Sequence, residues 1–357
     1  MKIITVSFLF LAVISLQAQQ NDYYFYKPEN NFGSDLFFNP GSLILNGSYD
    51  ILRNGAHSKD ISDIAYRDGI KGVWKNISHP IKHINRYGWG NFWEREFFNF
   101  TLKPKSMQFA PNLMNHTIGN GMQYVKLAEW YDYHQVPFPY VWSFLTTTTY
   151  QFMNEVNENG AYQGTNVDPI SDMLIFNPLG FLLFSSHRVR YFFSHTLPLY
   201  DWSLQPVYNP SNHYMENAGQ QFAIKKPFTS ESRYGAFIYW GIHALGGLTY
   251  TPDRLHSFSV GAGVVVNKLN VRGTEQARYI TPNLDGAIGF FYDKNHSLMT
   301  SLILQGPKYY TAQLNVYPAV IRPKRFAPGL YTSYDESRRF VFGLTLAYLP
   351  AGLFMQN

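Results

Sequence analysis

The chain has 357 residues, of which only 15% are charged while 18% are Phe, Trp or Tyr. Ordinary soluble domains carry roughly 25% charged residues, whereas a transmembrane β-barrel combines an apolar lipid face with aromatic girdles and fits this composition. The net charge of +5 is small and the Lys and Arg residues form no clustered stripe, so the charge gives no argument for nucleic-acid binding. The chain contains no cysteine, which excludes a disulfide framework and a lipoprotein attachment site.

Residues 1–18 have the pattern of a secretory signal peptide. Lys2 gives a positive start, an apolar run extends from Ile3 to Leu16, and Ala18 offers a small residue for cleavage. The run is shorter than the roughly 20 residues that a membrane span needs. We therefore expect a cleaved signal and export to the outer membrane of a Gram-negative bacterium.

Region 19–105 is aromatic-rich and is expected to hold the first strands and a short helix. Alternation of polar and apolar residues predicts strands at SLILNGSYDIL (42–52) and EFFNFTL (96–102). Between them, ISDIAYRDGIKGVWKNISHPIKHI (61–84) spaces its apolar residues as an amphipathic helix does.

Region 106–199 is predicted to be helical. YVWSFLTTTTYQFMNEVNENG (140–160) indicates a helix that ends near Gly160. DPISDMLIFNPLGFLLFSSHRVRYFF (168–193) indicates a second helix, with Asp168 as N-cap, Pro169 at the first helical position and a kink at Pro178. The two helices are expected to form a helical hairpin.

Region 200–357 carries the strands of the predicted barrel. Apolar and small polar residues alternate in SFSVGAGVVVN (257–267), YYTAQLNVYP (309–318) and FVFGLTLAY (340–348). Three more strands are predicted at AFIYWGIHA, LDGAIGFFYD and SLMTSLILQ, the last two joined by a tight turn at DKNH (293–296). The expected fold is mainly β: a transmembrane antiparallel β-barrel of about 8–12 strands with an inserted α-helical hairpin. A soluble β-sandwich is the alternative, although its strands are usually shorter.

Four polar residues of the helical region are the candidate catalytic residues: His116, Glu155, Asp172 and Asn177. A histidine beside carboxylates can act as a general acid and base or can bind a divalent metal. The sequence calls for no cofactor, and it leaves the presence of a metal open.

Three of these residues, Glu155, Asp172 and Asn177, also have a structural interpretation. Asp172 suits the first turn of a helix, where the helix dipole favours an acid. Glu155 and Glu158 are spaced as a solvated helix face, and Asn177 is placed to satisfy backbone groups freed by Pro178. In a straight helix Asp172 and Asn177 lie about 140° apart, so only a kink or a partner helix brings them together.

A second, weaker candidate site uses Ser and His residues on strands, as outer-membrane lipases do. These candidates are His243, His256, Ser257 and Ser259.

The stretch from His116 to about Phe184 resembles an uncharacterised domain family of Gram-negative outer-membrane proteins. More distantly, it is similar to the VanZ-like helical-hairpin proteins. The residues that carry the resemblance are Asn115-His116, Gly119, Gly121, Trp142, Glu155, Glu158, the run Asp168-Pro169-Ile170-Ser171-Asp172 and the run Asn177-Pro178-Leu179-Gly180. The resemblance implies a helical hairpin attached to a barrel, and it implies no particular activity.

The favoured function is a non-enzymatic outer-membrane protein with a helical plug and a structural, binding or small-solute role. The alternative is an envelope hydrolase that acts on a lipid or cell-wall substrate through His116 and the carboxylates. A soluble periplasmic binding protein is a third interpretation. The expected partners are outer-membrane lipid and other envelope proteins, with no nucleic acid, and the sequence leaves the oligomeric state undetermined.

Overall fold

The structure is a computed structural model that describes residues 23–54, 58–98, 113–273, 278–306, 310–320 and 327–357. The predicted signal peptide, 1–18, lies outside the described residues. Helices occupy the first part of the described chain and strands the second. The last helical turn ends at Thr196, and the first strand begins at Leu199.

Ten α-helical segments are present in the described ranges. They are α1 (Gly33–Phe37), α2 (Pro40–Tyr49), α3 (Tyr66–Ser78), α4 (Pro80–Tyr87), α5 (Trp89–Phe92), α6 (Asn120–Tyr133), α7 (Pro139–Asn159), α8 (Asp168–Ser171), α9 (Asn177–Ser185) and α10 (His187–Tyr191). Wider π-helical turns occur at Trp93–Phe97, Met114–Gly119, Asp172–Phe176 and Phe192–Thr196. None of the described helices combines the length and the apolar character needed to cross a membrane.

The strand predicted at SLILNGSYDIL is wrong, because this segment forms most of helix α2. Asn39 caps the helix: its Oδ1 accepts the Ser42 N–H at 2.9 Å, and Ser42 Oγ accepts the Asn39 N–H at 3.1 Å. Pro40 occupies the first helical position, where it has no hydrogen bond to lose. This reciprocal cap outweighs the alternation in the segment. The second predicted strand begins within the π-helical turn Trp93–Phe97 instead, and residues 99–102 lie outside the described ranges.

The helices predicted at 61–84 and 140–160 are confirmed as α3, α4 and α7, and α7 ends at Gly160 as expected. The predicted two-helix hairpin is wrong, because α7 and α9 both pack on α6, which the sequence did not reveal. Helices α6 and α9 approach closely through glycines: a Cβ on Gly121 would lie 2.4 Å from the Phe184 ring, and one on Gly180 would lie 2.6 Å from the Thr117 carbonyl oxygen.

The thirteen strands form one sheet. They are β1 (Leu199–Asp201), β2 (Val207–Asn209), β3 (Tyr214–Glu216), β4 (Gln221–Pro227), β5 (Tyr234–Gly241), β6 (His243–Tyr250), β7 (His256–Gly273), β8 (Arg278–Lys294), β9 (Ser297–Gln305), β10 (Ala312–Val316), β11 (Pro328–Tyr334), β12 (Phe340–Leu346) and β13 (Gly352–Gln356). Their order is β1-β4-β5-β6-β7-β8-β9-β10-β11-β12-β13-β2-β3, antiparallel throughout except for the parallel pair of β13 and β2. The tight turn predicted at DKNH joins β8 to β9, with positive φ at Asn295 and His296.

The expected barrel of 8–12 strands differs from this sheet in number and in closure. The two ends of the strand order, β1 and β3, do not pair with each other in the described chain, so the ladder is open. The reason lies in the segment 199–209, which carries both β1 and β2. Strand β1, in the first half of the segment, pairs with β4, and strand β2, in the second half, pairs with β13. The strands β4 and β13 at the two ends of the ladder therefore pair with this segment and not with each other.

The sheet is strongly curved. Lys225 on β4 and Asp293 on β8 form an ion pair with Nζ and Oδ1 2.5 Å apart, although three strands lie between them in the sheet. Both side chains are buried. Contact between strands four positions apart requires the inner face to curl around a narrow interior.

The two faces of the strands have the predicted alternation, with the apolar side pointing outward. On β7, Phe258 and Val260 are 51% and 43% exposed, while Ser257 and Ser259 are buried. The outer apolar side chains recur along the sheet at Ile238, Leu248, Ile288, Phe290, Leu304, Leu344 and Leu353. Large apolar side chains such as Phe237 and Phe291 are buried on the inner side as well, so apolar residues occupy both faces. A sheet with one face in water usually exposes a polar face, and this sheet does not.

Candidate active site

Three of the predicted site residues converge from separate segments of the helical unit. His116 lies in the π-helical turn Met114–Gly119, Glu155 on α7 and Asp172 in the π-helical turn Asp172–Phe176. One nitrogen or oxygen atom from each lies within 4.8 Å of those of the other two. The His116 Nε2 and Asp172 Oδ2 atoms are 3.3 Å apart.

A π-helical turn also brings Asn177 onto the same histidine. The Asn177 N–H donates to the Asp172 carbonyl, a hydrogen bond across five residues that stacks the two side chains on one side of the helix. Pro178 follows directly and has no N–H for a regular helical bond, so the wider turn accommodates it. A π-helical turn therefore takes the place of the kink expected at Pro178. The angle of about 140° between Asp172 and Asn177, which holds for a straight α-helix, does not apply here.

Asn177 fixes the protonation pattern of the imidazole. Its Oδ1 lies 2.9 Å from His116 Nδ1, and the Asn120 side chain donates to the same oxygen at 3.4 Å. An amide oxygen only accepts hydrogen bonds, so His116 carries its proton on Nδ1. The unprotonated Nε2 then directs its lone pair toward Asp172.

Further acids surround this group. Asp168 is not the N-cap predicted from sequence: it is the first residue of α8, Val167 precedes it, and its carboxyl group interacts with Glu158. Glu96 hydrogen-bonds Ser171 at the edge of the same cluster. Arg278, at the start of β8, donates to the main-chain carbonyl of Glu158 and opposes the charges of Glu155, Glu158 and Asp168, while Arg95 opposes that of Glu96.

Burial determines the electrostatics of the cluster. Burial and the neighbouring Asp168 carboxylate raise the pKa of Glu155 and Asp172 well above the usual carboxyl range. The same causes raise the pKa of Glu158 to about 8. Burial lowers the pKa of His116 to about 4. The predicted solvated face at Glu155 is therefore wrong: this side chain is only 2% exposed.

The Glu158 carboxyl group makes the stability of the metal-free protein depend on pH. Its pKa rises from 4.5 to about 8 on folding, so its contribution to stability is complete below about pH 4.5 and is lost as the pH rises through about 8. We expect the Tm to fall by about 5 °C between pH 6.5 and 9. Glu158→Gln should flatten this decline in differential scanning fluorimetry, and equal slopes for the two proteins would contradict the assignment.

Sequence reasoning missed three residues of this site. Glu96, Asn120 and Arg278 lie far apart in sequence, and only the folded chain brings them together. The weaker strand site is not assembled: His256 pairs with Asp253, while Ser257 and Ser259 hydrogen-bond Thr251 and Thr249.

The donor set of His116, Glu155 and Asp172 offers one nitrogen and two carboxylate groups to a cation or to a bound water. The side chain of His116 is 17% exposed, so solvent reaches the edge of the site. In comparisons with protein-family models, with curated proteins and with solved structures, the chain has no significant match.

Proposed function

We propose that the protein is an outer-membrane hydrolase whose curved sheet is embedded in lipid. The outer face of the sheet supports the membrane location, because its exposed side chains are apolar while small polar residues are buried inside. The export signal predicted at 1–18 supports it as well. Carbonate extraction should leave the protein in the membrane pellet, and its recovery in the wash would argue for a soluble protein.

The convergence of His116, Glu155 and Asp172 within 4.8 Å carries the hydrolase proposal. Such a group can position and activate a water for attack on an ester or phosphoester. In the reaction, the water oxygen bonds to the acyl carbon or phosphorus, the bond to the leaving oxygen (or to the leaving nitrogen of an amide) breaks, and the water proton passes to that leaving atom. A strongly perturbed set of buried acids in one place is typical of catalytic sites.

The substrate class follows from the location. A protein embedded in the outer membrane meets lipids in its own leaflet and cell-wall fragments in the periplasm. Both contain ester, phosphoester or amide bonds that an activated water can cleave. We therefore propose a lipid or cell-wall substrate.

Purified protein in detergent micelles tests this proposal against a panel of phospholipids and peptidoglycan fragments. His116→Ala should lower the rate of hydrolysis about 100-fold, because it removes the only imidazole of the site in the described chain. His83→Ala is the matched control: His83 is buried and bonds Thr165, and its loss should leave the rate unchanged. Equal rates for His116→Ala and the wild type would refute the proposal.

A non-enzymatic plugged sheet is the second candidate, and the packing of the sheet interior favours it. Trp202, Tyr239 and Tyr317 are fully buried inside the curve of the sheet, in one apolar cluster with Phe37 of helix α1. A filled interior suits a structural or ligand-binding role more than a water-filled pore. Absence of turnover on the whole panel, with the variants folded normally, would favour this candidate.

A further inference from the structure

We propose that His116, Glu155 and Asp172 form a binding site for one divalent cation of the Zn²⁺ type. This inference deepens the proposed function, because the cation would be what activates the water. It also stands apart from that function, since a metal can bind whether or not a substrate is hydrolysed.

The geometry of the three donors fits such an ion. Two ligands about 2.0–2.1 Å from a tetrahedral Zn²⁺ lie about 3.4 Å apart. His116 Nε2 and Asp172 Oδ2 are 3.3 Å apart, and the Glu155 donor lies within 4.8 Å of both. Three protein donors leave one position for water, which is the arrangement of catalytic zinc sites and not of structural ones.

The tautomer of His116 is the one that a metal ligand requires. Metal-binding histidines usually donate their second ring N–H to an oxygen that holds the ring in place. Asn177 provides this oxygen, with its Oδ1 2.9 Å from His116 Nδ1. The pair leaves the Nε2 lone pair directed at Asp172.

Asn177 adds a second observation. It is 3% exposed, and its Nδ2 has no hydrogen-bond acceptor within the described ranges. A buried amide donor without a partner is costly. The unpaired donor belongs to the residue that holds the His116 ring, so the site offers a free polar group to an oxygen of a bound ligand.

The burial of the donors also favours a cation. Glu155 and Asp172 are each 2% exposed. A carboxylate buried in this way is costly to ionise unless a paired charge or a metal ion accompanies it. A divalent cation supplies two positive charges at the point where the donors meet.

The experiment measures metal binding directly. The full-length protein, purified in detergent and stripped with a chelator, is titrated with Zn²⁺ by calorimetry and analysed for metal after gel filtration. We expect one bound ion per chain. His116→Ala and Asp172→Asn should each weaken binding at least 100-fold, and His83→Ala should not. Wild-type affinity in both site variants would overturn the proposal.

Replacing Zn²⁺ with Co²⁺ gives a visible absorption spectrum that reports on the ligands of the ion. His116 would not affect this spectrum if its role were purely structural. A four-coordinate site with mixed nitrogen and oxygen donors should yield visible absorption bands, which His116→Ala should abolish. Bands of equal intensity in that variant would place the ion elsewhere and overturn the proposal.

Asn177 is assigned as a positioning residue. Asn177→Ala should weaken Zn²⁺ binding 10- to 100-fold, the usual effect of losing the partner of a ligating histidine. Asn177→Asp should restore binding, because a carboxylate accepts the same Nδ1–H. Loss of affinity in both variants, or in neither, would contradict this role.

The outcomes separate the metal site from the hydrolase. Zn²⁺ binding without hydrolysis on the panel would sustain the metal site and refute the enzyme. Hydrolysis that survives chelation, with no bound metal, would sustain the enzyme and refute the metal site. Hydrolysis that is lost on chelation and restored by Zn²⁺ would support both.

Discussion

Lys225→Ala is expected to lower the free energy of unfolding by about 3–5 kcal/mol, because it leaves the buried Asp293 carboxylate without its counter-charge. Lys225 and Asp293 are 5% and 0% exposed and connect strands that are four positions apart. Urea unfolding in detergent micelles, followed by tryptophan fluorescence, measures the change as a lower midpoint. The double variant Lys225→Met with Asp293→Leu should recover most of the loss, since it removes both charges.

The Arg339–Asp335 pair provides the matched control. Its Nε and Oδ2 atoms are 2.7 Å apart, but the arginine side chain is 46% exposed. Arg339→Ala should therefore cost less than about 1 kcal/mol. A cost of the same size for Lys225→Ala would mean that the buried pair does not hold the curvature of the sheet.

Pro178→Ala is expected to lower hydrolysis and Zn²⁺ affinity about 100-fold while leaving the protein folded. Alanine restores an N–H, so the π-helical turn Asp172–Phe176 can tighten into a regular helix. In a regular helix Asp172 and Asn177 no longer stack, and only one of them can reach His116. Circular dichroism and calorimetry together check that the site is lost while the fold is kept.

Pro139→Ala is the control for this variant. Pro139 occupies the first turn of α7, where its missing N–H has no helical partner, and no π-helical turn interrupts α7. Its replacement should change neither activity nor metal affinity. If Pro178→Ala behaves in the same way, the proline is not what maintains the turn.

Local patterns predicted the elements whose signals are self-contained. The period of the apolar residues located α3 and α7, and the alternation in SFSVGAGVVVN placed Ser257 and Ser259 on one face and Phe258 and Val260 on the other, as observed. Helix α2 was mistaken for a strand because its apolar residues alternate, while the decisive contact is a single capping box at Asn39 and Ser42.

The candidate site was predicted in its residues and not in its geometry. His116, Glu155, Asp172 and Asn177 stand out as polar groups in apolar surroundings, which is a local property. Their convergence depends on a π-helical turn, and no periodicity in the sequence predicts such a turn before Pro178. Arg278 joins them from the start of a strand far along the chain, so no local signal connects it to the helices.

The segment 199–209 has a consequence for the order in which the protein assembles. The last strand, β13, pairs in parallel with β2, so Gly352 and Leu353 meet Val207 and Tyr208 across almost the whole strand region. Hairpins such as β8–β9 can form as soon as they are synthesised, but this contact joins residues very distant in sequence and waits for the final strand. Such distant pairings slow folding. The growing sheet therefore keeps an unpaired flank until residues 352–356 have been synthesised, and an unpaired strand edge is open to pairing with another chain.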